Sequence, residues 1–135
     1  MSDYNYEHIR KAVSRWRKSK LMRKLKKDDQ MEISKDDNRS LIIDLTFRYC
    51  LAQIVVTDPV FAPYQYVSFE ALALDSEKSR RMGQEETIYF FYDSPEYTMQ
   101  DVISELDNGI KYCSDYVPDL LLKTYQGKKG FYSFL

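Results

Sequence analysis

The sequence predicts an α+β fold: an antiparallel four-stranded β-meander with an N-terminal helix and two C-terminal helices packed mainly on one face. Three observations lead to this prediction. Apolar residues recur at helical spacing over residues 6–16, short runs of branched and aromatic residues follow between residues 41 and 92, and helical spacing returns after residue 97. A chain of 135 residues is long enough to form one domain, residues 1–135, around its own core.

The N-terminal segment, residues 1–27, is predicted to form a basic amphipathic helix. One stripe of its helical wheel is apolar, and Trp16 lies on that stripe as a candidate core anchor. A few residues later the pattern fails, because Lys20 falls on the apolar stripe and Leu21 on the reverse. We therefore expect the helix either to bend near Ser19 or to leave the body of the domain in its last turns. The apolar stripe consists of Tyr6, Ile9, Ala12, Val13 and Trp16.

Residues 28–40 are polar and show no clear period, so they are interpreted as a connector. The antiparallel sheet is expected over residues 41–92. Its first two strands, residues 41–47 and 50–56, are rich in branched and aromatic side chains and are separated by only two residues, which predicts a hairpin. The two turn residues are not the favoured Asn-Gly pair, so the register of the hairpin stays open.

Two prolines, Pro59 and Pro63, bracket a turn after the hairpin, because the residue before each proline is pushed to extended backbone. Residues 64–74 follow as a strand with one face directed to the core. The inward side chains are predicted to be Val67, Phe69, Ala71 and Ala73. Residues 87–92, with the sequence TIYFFY, are apolar almost throughout and are predicted to form a short central strand.

Helices are expected over residues 97–126. Thr98 and Asp101 have the spacing of a capping box, with the acid in place of the usual glutamate. Apolar residues then recur at helical spacing as far as residue 113. Gly109 lowers the stability of a helix by about 1 kcal/mol relative to alanine, so an end just before it stays open. Pro118 suits the first turn of a further helix.

The sequence lacks the residue patterns that most enzymes and metal proteins need. Its only histidine, His8, lies beside Ile9 on the first helix, where packing or surface exposure is the common role. Cys50 and Cys113 lack the paired spacing of a zinc site and are interpreted as reduced, partly buried thiols. No glycine-rich phosphate loop and no nucleophile elbow occurs. We expect no enzymatic activity, no catalytic residue, no cofactor and no metal.

Two further patterns are missing, and both concern location. The N-terminus has no signal-peptide pattern, and no stretch approaches the roughly 18 consecutive apolar residues of a membrane span. We therefore expect a cytoplasmic protein that does not bind membranes. No pattern in the sequence indicates an oligomeric state.

Charge is divided unevenly along the chain. Residues 1–27 hold ten Lys or Arg against two acids, a net charge of +8, and the remaining residues hold ten Lys or Arg against 19 acids, a net charge of −9. A nucleic-acid-binding regulator that uses the basic helix is therefore one alternative. However, the cations flank an apolar stripe, as they do on helices that dock against a protein core. This arrangement favours a docked helix with a cationic rim over a nucleic-acid arm.

Two segments, LAQIVVTDPVFAPYQYVSFEALAL (residues 51–74) and ETIYFFYDSPEYTMQDVISELDNGIKY (residues 86–112), carry a resemblance to a known group of proteins. Over roughly residues 51–119 the chain resembles the small immunity proteins that protect bacteria from the toxins of contact-dependent growth inhibition and related polymorphic toxin systems. The resemblance implies a cytosolic antitoxin that binds and neutralises one cognate toxin domain, with a nuclease as the favoured class, by blocking its active site or substrate surface. The basic first helix departs from the acidic surface common in such proteins.

If the resemblance holds, acidic and aromatic residues of three loops are the candidates for contact with a toxin. They lie in the turn between the prolines, in the YDSPEY loop and at the start of the last predicted helix. Charge reversal at Asp93 and Glu96 is expected to weaken toxin binding mainly through the association rate. The candidate toxin-binding residues are Phe61, Tyr64, Asp93, Glu96, Tyr97, Asp115, Tyr116 and Asp119.

Overall fold

A five-stranded antiparallel sheet is the centre of the computed structural model, which describes residues 4–74, 83 and 85–118. Helix α1 spans Tyr6–Trp16 and continues through a π-helical segment, Arg17–Leu21, into a short helix α2, Met22–Lys24; helix α3 spans Met99–Asp115. The strands are β1 (Gln30–Asp36), β2 (Ser40–Thr46), β3 (Cys50–Thr57), β4 (Val67–Ala73) and β5 (Thr87–Tyr92). They lie in the order β1-β2-β3-β4-β5, each antiparallel to the next. The predicted α+β class is confirmed, with five strands in place of four.

The additional strand is β1, and it corrects the interpretation of residues 28–40 as a connector. Met31 pairs with Leu45 and Ile33 pairs with Ile43, so these two side chains face the core while the residues between them face solvent. Only two apolar residues mark the period-2 pattern, because an edge strand with one wet face needs few of them.

The other strands follow the predicted pattern more closely. The hairpin of β2 and β3 is present, and its register places Ile43 opposite Ile54. In β4 the alternate residues predicted to face inward are buried. Strand β5 was predicted to be central and instead is the last strand of the described sheet. Its apolar residues lie on both faces of the sheet: Phe91 packs in the core, whereas Phe90 is 61% exposed on the opposite face.

The failure of the helical pattern near Ser19 has a structural cause. A π-helical turn holds about one more residue than an α-helical turn, so it rotates the following side chains around the helix axis. Leu21 is therefore fully buried while Lys20 stays exposed. The hydroxyl of Ser19, in this segment, donates to the carbonyl of Arg15, in the last turn of α1, at 2.7 Å. The chain changes its helical register here and stays on the body of the domain.

Helix α3 begins with the predicted capping box. The backbone N–H of Asp101 donates to Thr98 Oγ1 at 3.1 Å, and the N–H of Thr98 donates to the Asp101 carboxylate at 2.9 Å. The helix continues through Gly109 to Asp115 and does not end at residue 108. A Cβ at Gly109 would lie 2.9 Å from Cζ of Phe69, so glycine is required by the close approach of helix and sheet. The predicted helix after Pro118 lies outside the described residues.

Both long helices pack on one face of the sheet, as predicted. Ile9, Val13 and Trp16 of α1 share one buried cluster with Val102, Leu106 and Ile110 of α3. The strands contribute their inward residues to the same cluster, with Ile54 and Phe69 among the fully buried ones. We call the face of the sheet that points away from the helices the outer face.

Candidate functional site

Four of the predicted contact residues lie at one end of the molecule, where the β3–β4 and β5–α3 loops meet. Phe61 is 95% exposed at the tip of the β3–β4 loop. Tyr64 is half-buried, with its ring centroid 6.1 Å from that of Tyr92. In the β5–α3 loop Glu96 is exposed, whereas Tyr97 packs against the core residue Phe91.

Asp93 occupies the same end but is only 3% exposed. Its Oδ1 accepts hydrogen bonds from the backbone N–H groups of Gln65 at 2.8 Å and of Tyr66 and Val67 at 2.9 Å. The hydroxyl of Tyr4 donates to its other oxygen, and burial together with this hydrogen bond raises the pKa of Tyr4. The carboxylate therefore ties the N-terminal segment and the start of β4 to the end of β5. Burial removes Asp93 from the surface, and its candidacy as a contact residue is withdrawn.

The remaining candidates lie elsewhere. Asp115 ends helix α3 at the opposite end of the domain and forms an ion pair with Lys26 at 3.3 Å. The ring of Tyr116 lies 6.2 Å from that of Tyr112. Asp119 lies outside the described residues. The eight predicted contact residues therefore do not form one surface.

The outer face of the sheet carries a more continuous arrangement. The register of the four strand pairs aligns one outward residue from each strand in a single row, which we call the acidic row: Glu32, Asp44, Gln53, Glu70 and Phe90. Four interstrand spacings make this row about 19 Å long. Like charges directly opposite each other destabilise a sheet, so the Glu32–Asp44 pair is not explained by folding stability. Gln53 donates to Asp44 at 2.8 Å and relieves part of this cost.

Two further rows flank the acidic row on the outer face and are mainly apolar or neutral. Leu51, 41% exposed, lies on one side beside Leu72, and together with acids of the central row they line a shallow groove of about 500 Å3. Ile42 and Val55 lie on the other side and are half-buried. At one end of the outer face the loop residue Tyr64 packs against Tyr92, and Ser68 of β4 is only 3% exposed there. The central row is more open, because Glu32, Gln53, Glu70 and Phe90 are all exposed.

Aromatic side chains gather at the β5 end of the acidic row. The ring centroids of Phe90 and Tyr92 are 5.0 Å apart, and Tyr64 completes the group, which we call the aromatic cluster. Burial first, and then the charge of Glu70, raises the pKa of both Tyr64 and Tyr92. A hydrogen bond to the Glu70 carboxylate contributes to the raised pKa of Tyr92. Both phenols therefore stay protonated at neutral pH and can donate hydrogen bonds.

The solvent side of the helical layer has the opposite charge. Arg10 pairs with Asp36 at 2.6 Å and Lys24 with Asp107 at 3.7 Å. Trp16 is buried and its indole N–H donates to Asp107 at 2.7 Å, as expected of a core anchor and not of a base-stacking platform. The exposed cations of this layer are Lys11, Arg15, Lys18, Lys20, Arg23, Lys24, Lys26 and Lys27.

The described residues hold no group of three or more His, Cys, Asp or Glu side chains arranged to bind a metal ion. Cys50 and Cys113 are buried free cysteines, and the Cys50 thiol donates to the Cys113 carbonyl at 3.6 Å. His8 lies near the start of α1, with Nδ1 3.2 Å from the Asn5 side-chain amide. None of the helices in the described ranges combines the length and the apolar character needed to cross a membrane.

Sequence reasoning missed the acidic row because its members come from five separate strands. The alternation in β4 already directed Glu70 outward, and that was the available signal. Glu32 lay in the segment taken for a connector, and alignment across strands depends on a register that the turns alone do not specify.

No protein-family model, no curated protein and no solved structure matches this chain. The fold and the outer face of its sheet define the class of structure: an α+β domain with one face of an antiparallel sheet covered by helices. The resemblance to immunity proteins stays a hypothesis.

Proposed function

We propose that the chain is a cytosolic bacterial immunity protein that binds and neutralises a cognate toxin domain, with a nuclease as the favoured class. The observation that carries the proposal is the acidic row, in which Glu32 and Glu70 are exposed and Asp44 is half-buried on the outer face. The resemblance over residues 51–119 supports the same conclusion independently.

The proposed mechanism is competition for a basic surface. A nuclease holds the phosphates of its substrate with Lys and Arg side chains. The carboxylates of Glu32, Asp44 and Glu70 occupy such a surface in place of the phosphates, and their charge accelerates the encounter. The exposed rings and the flanking Leu51 supply apolar contacts from which water is excluded. Such dehydrated contacts provide most of the binding energy of a protein interface. The chain acts as a binding protein and turns over no substrate.

Co-expression with each candidate toxin domain encoded by a neighbouring gene tests the proposal. Cells that carry both proteins should survive and yield a stable complex, whereas cells that carry the toxin-like domain alone should die. Purified chain should abolish nuclease activity at a molar ratio near one. Cell death in the presence of the chain, with no complex recovered, would contradict the proposal for this partner.

A matched pair of charge variants locates the effect on the outer face. Asp44→Lys with Glu70→Lys should abolish protection, because two positive charges then oppose the basic partner. The control is Lys18→Glu with Lys20→Glu, which changes charge by the same amount but in the opposite direction on the helical layer. Equal loss from both pairs would show that the loss of protection is not specific to the outer face.

A second candidate function rests on the exposed cations of the helical layer. It predicts binding of RNA or DNA with a steep dependence on salt. Deleting α1 would remove Ile9, Val13 and Trp16 from the core, so neutral substitutions are the better test. Lys18→Gln, Lys20→Gln and Arg23→Gln together should lower the slope of log K against log salt by about 2 to 3 if these residues contact phosphates. An unchanged slope would exclude this layer as a nucleic-acid site.

A further inference from the structure

We infer that Glu70 and the aromatic cluster (Tyr64, Phe90 and Tyr92) form a receptor for one cationic side chain, arginine or lysine, of a basic protein partner. The identity of that partner as a toxin rests on the proposed function. The chemistry of the receptor rests on the geometry of the outer face alone.

The strand register brings the four side chains together. Glu70 of β4 lies directly opposite Phe90 of β5, and Tyr92 lies two residues beyond Phe90 on the same face. Tyr64, in the loop before β4, places its ring 6.1 Å from Tyr92. Three rings from two segments thus flank one carboxylate at the end of the acidic row.

Among the described residues no cation is paired with Glu70, the one carboxylate of the receptor. Along the row its neighbour is the neutral Gln53, and the next member is another acid, Asp44. A carboxylate in this position can accept further hydrogen bonds from a donor that also brings a positive charge.

A cation fits this group better than other ligand types. An anion is repelled by Glu70, and an apolar side chain would bury that carboxylate without an opposite charge, which is strongly unfavourable. A cation forms an ion pair with Glu70 and lies against the negative faces of the rings. Arginine fits best, because its planar guanidinium stacks on a ring and donates to a carboxylate simultaneously. Phe90, 61% exposed, provides the most accessible ring for this stacking.

The first test compares Glu70→Gln with Glu32→Gln. Both changes remove one carboxylate from the same row, but Glu32 lies on β1 at the far edge of the sheet. Calorimetric titration with the toxin-like domain should show that Glu70→Gln raises Kd at least about tenfold and Glu32→Gln about threefold or less. Phe90→Ala should also weaken binding more than Leu51→Ala, its exposed apolar control. Equal effects within each pair would overturn the inference.

The second test uses a hexa-arginine peptide and needs no natural partner. Amide and aromatic NMR signals of the full chain should shift at residues 64, 70, 90 and 92 on titration, and Glu70→Gln should remove those shifts. A hexa-lysine peptide should cause smaller shifts at the same residues. Shifts that are spread evenly over all acids of the outer face, or that persist in Glu70→Gln, would overturn the inference of a receptor at this position.

The two tests separate the failure of the receptor from the failure of the proposed function. Peptide shifts centred on the cluster, with no binding of the toxin-like domain, would support the receptor and reject the toxin as its partner. Two other occupants would overturn the inference. One is a second copy, revealed by a dimer that Phe90→Ala converts to a monomer. The other is this chain itself, revealed by nuclear Overhauser contacts from Lys123, Lys128 or Lys129 to the cluster in the free protein.

Discussion

The two faces of the sheet are formed by alternate residues of the same strands, yet they have different physical roles. On the inner face, residues such as Ile54 and Phe69 are fully buried against the helices. On the outer face, Glu32 lies opposite Asp44, and Phe90 stays exposed. Burial of apolar side chains stabilises the fold and explains the residues of the inner face. On the outer face, the like charges of Glu32 and Asp44 destabilise the sheet. The contrast agrees with the intermolecular role proposed for the outer side chains, and substitutions on the two faces should therefore affect different properties of the protein.

The largest loss of stability is expected for Asp93→Ala. The carboxylate accepts three backbone N–H groups and the hydroxyl of Tyr4, and its removal leaves these donors unpaired in a buried corner. We expect the free energy of unfolding to fall by about 3–5 kcal/mol, measured by urea denaturation. Glu96→Ala, on the exposed part of the same loop, is the control and should change stability by about 0.5 kcal/mol or less. A small effect at Asp93 would contradict its structural role.

Gly109→Ala tests how tightly helix and sheet meet on the inner face. The added methyl group would lie 2.9 Å from the Phe69 ring, so helix or ring must shift. We expect a loss of about 1–3 kcal/mol in thermal or urea unfolding, in spite of the better helix propensity of alanine. Asn108→Ala, on the exposed side of the same helix, should be neutral or slightly stabilising. A more stable Gly109→Ala variant would show that the contact is looser than described.

Tyr4 should make stability depend on pH in the alkaline range. Burial and the hydrogen bond to Asp93 raise its pKa above the ordinary value of 10.0. A raised pKa in the folded state means that its contribution is fully present below pH about 10 and is lost as the pH rises further. Tyr4→Phe should lower stability by about 1.5–3 kcal/mol at pH 7 and flatten its decline between pH 9 and 11. An equally steep decline in the variant would assign the effect to other groups.

The smallest effect on stability is expected on the outer face itself. Glu32→Gln removes the repulsion between Glu32 and Asp44 and should raise the free energy of unfolding by about 0.2–1 kcal/mol at low salt. The gain should shrink as added salt screens the charges. Denaturation at two ionic strengths measures it, with Glu96→Gln as the control for loss of one exposed acid. A destabilised Glu32→Gln variant would mean that this carboxylate has a structural role, and the contrast between the faces would weaken.

The parts of the fold that could be predicted are those with strong local patterns. The β2–β3 hairpin, the inward residues of β4 and the Thr98–Asp101 cap each follow from residues close in sequence. Strand β1 was missed because only Met31 and Ile33 mark it, and the contact between Gly109 and Phe69 joins residues far apart in the chain. Helical periodicity assumes a constant turn, so the π-helical segment appeared only as a break.

The candidate site was less predictable for the same reason. Loop position suggested Phe61, Tyr64 and Glu96, which are accessible in different degrees, but it also suggested Asp93, whose carboxylate is directed into the protein. From sequence alone, a polar residue after a strand can be interpreted equally well as a solvent-exposed residue or as a buried residue that accepts hydrogen bonds from the backbone of a turn. Only the strand register shows that Glu70 lies beside the aromatic side chains of β5.

The π-helical segment Arg17–Leu21 has a consequence for comparing this chain with its relatives. A π turn is equivalent to one residue inserted into a regular helix. A relative that lacks one residue between positions 17 and 21 would form an uninterrupted helix, with the equivalent of Leu21 only four positions after that of Trp16. An alignment without a gap there would match every residue before the π-helical segment to the wrong residue of the relative. Deleting Ser19 from this chain should accordingly be tolerated better than deleting a residue within α1.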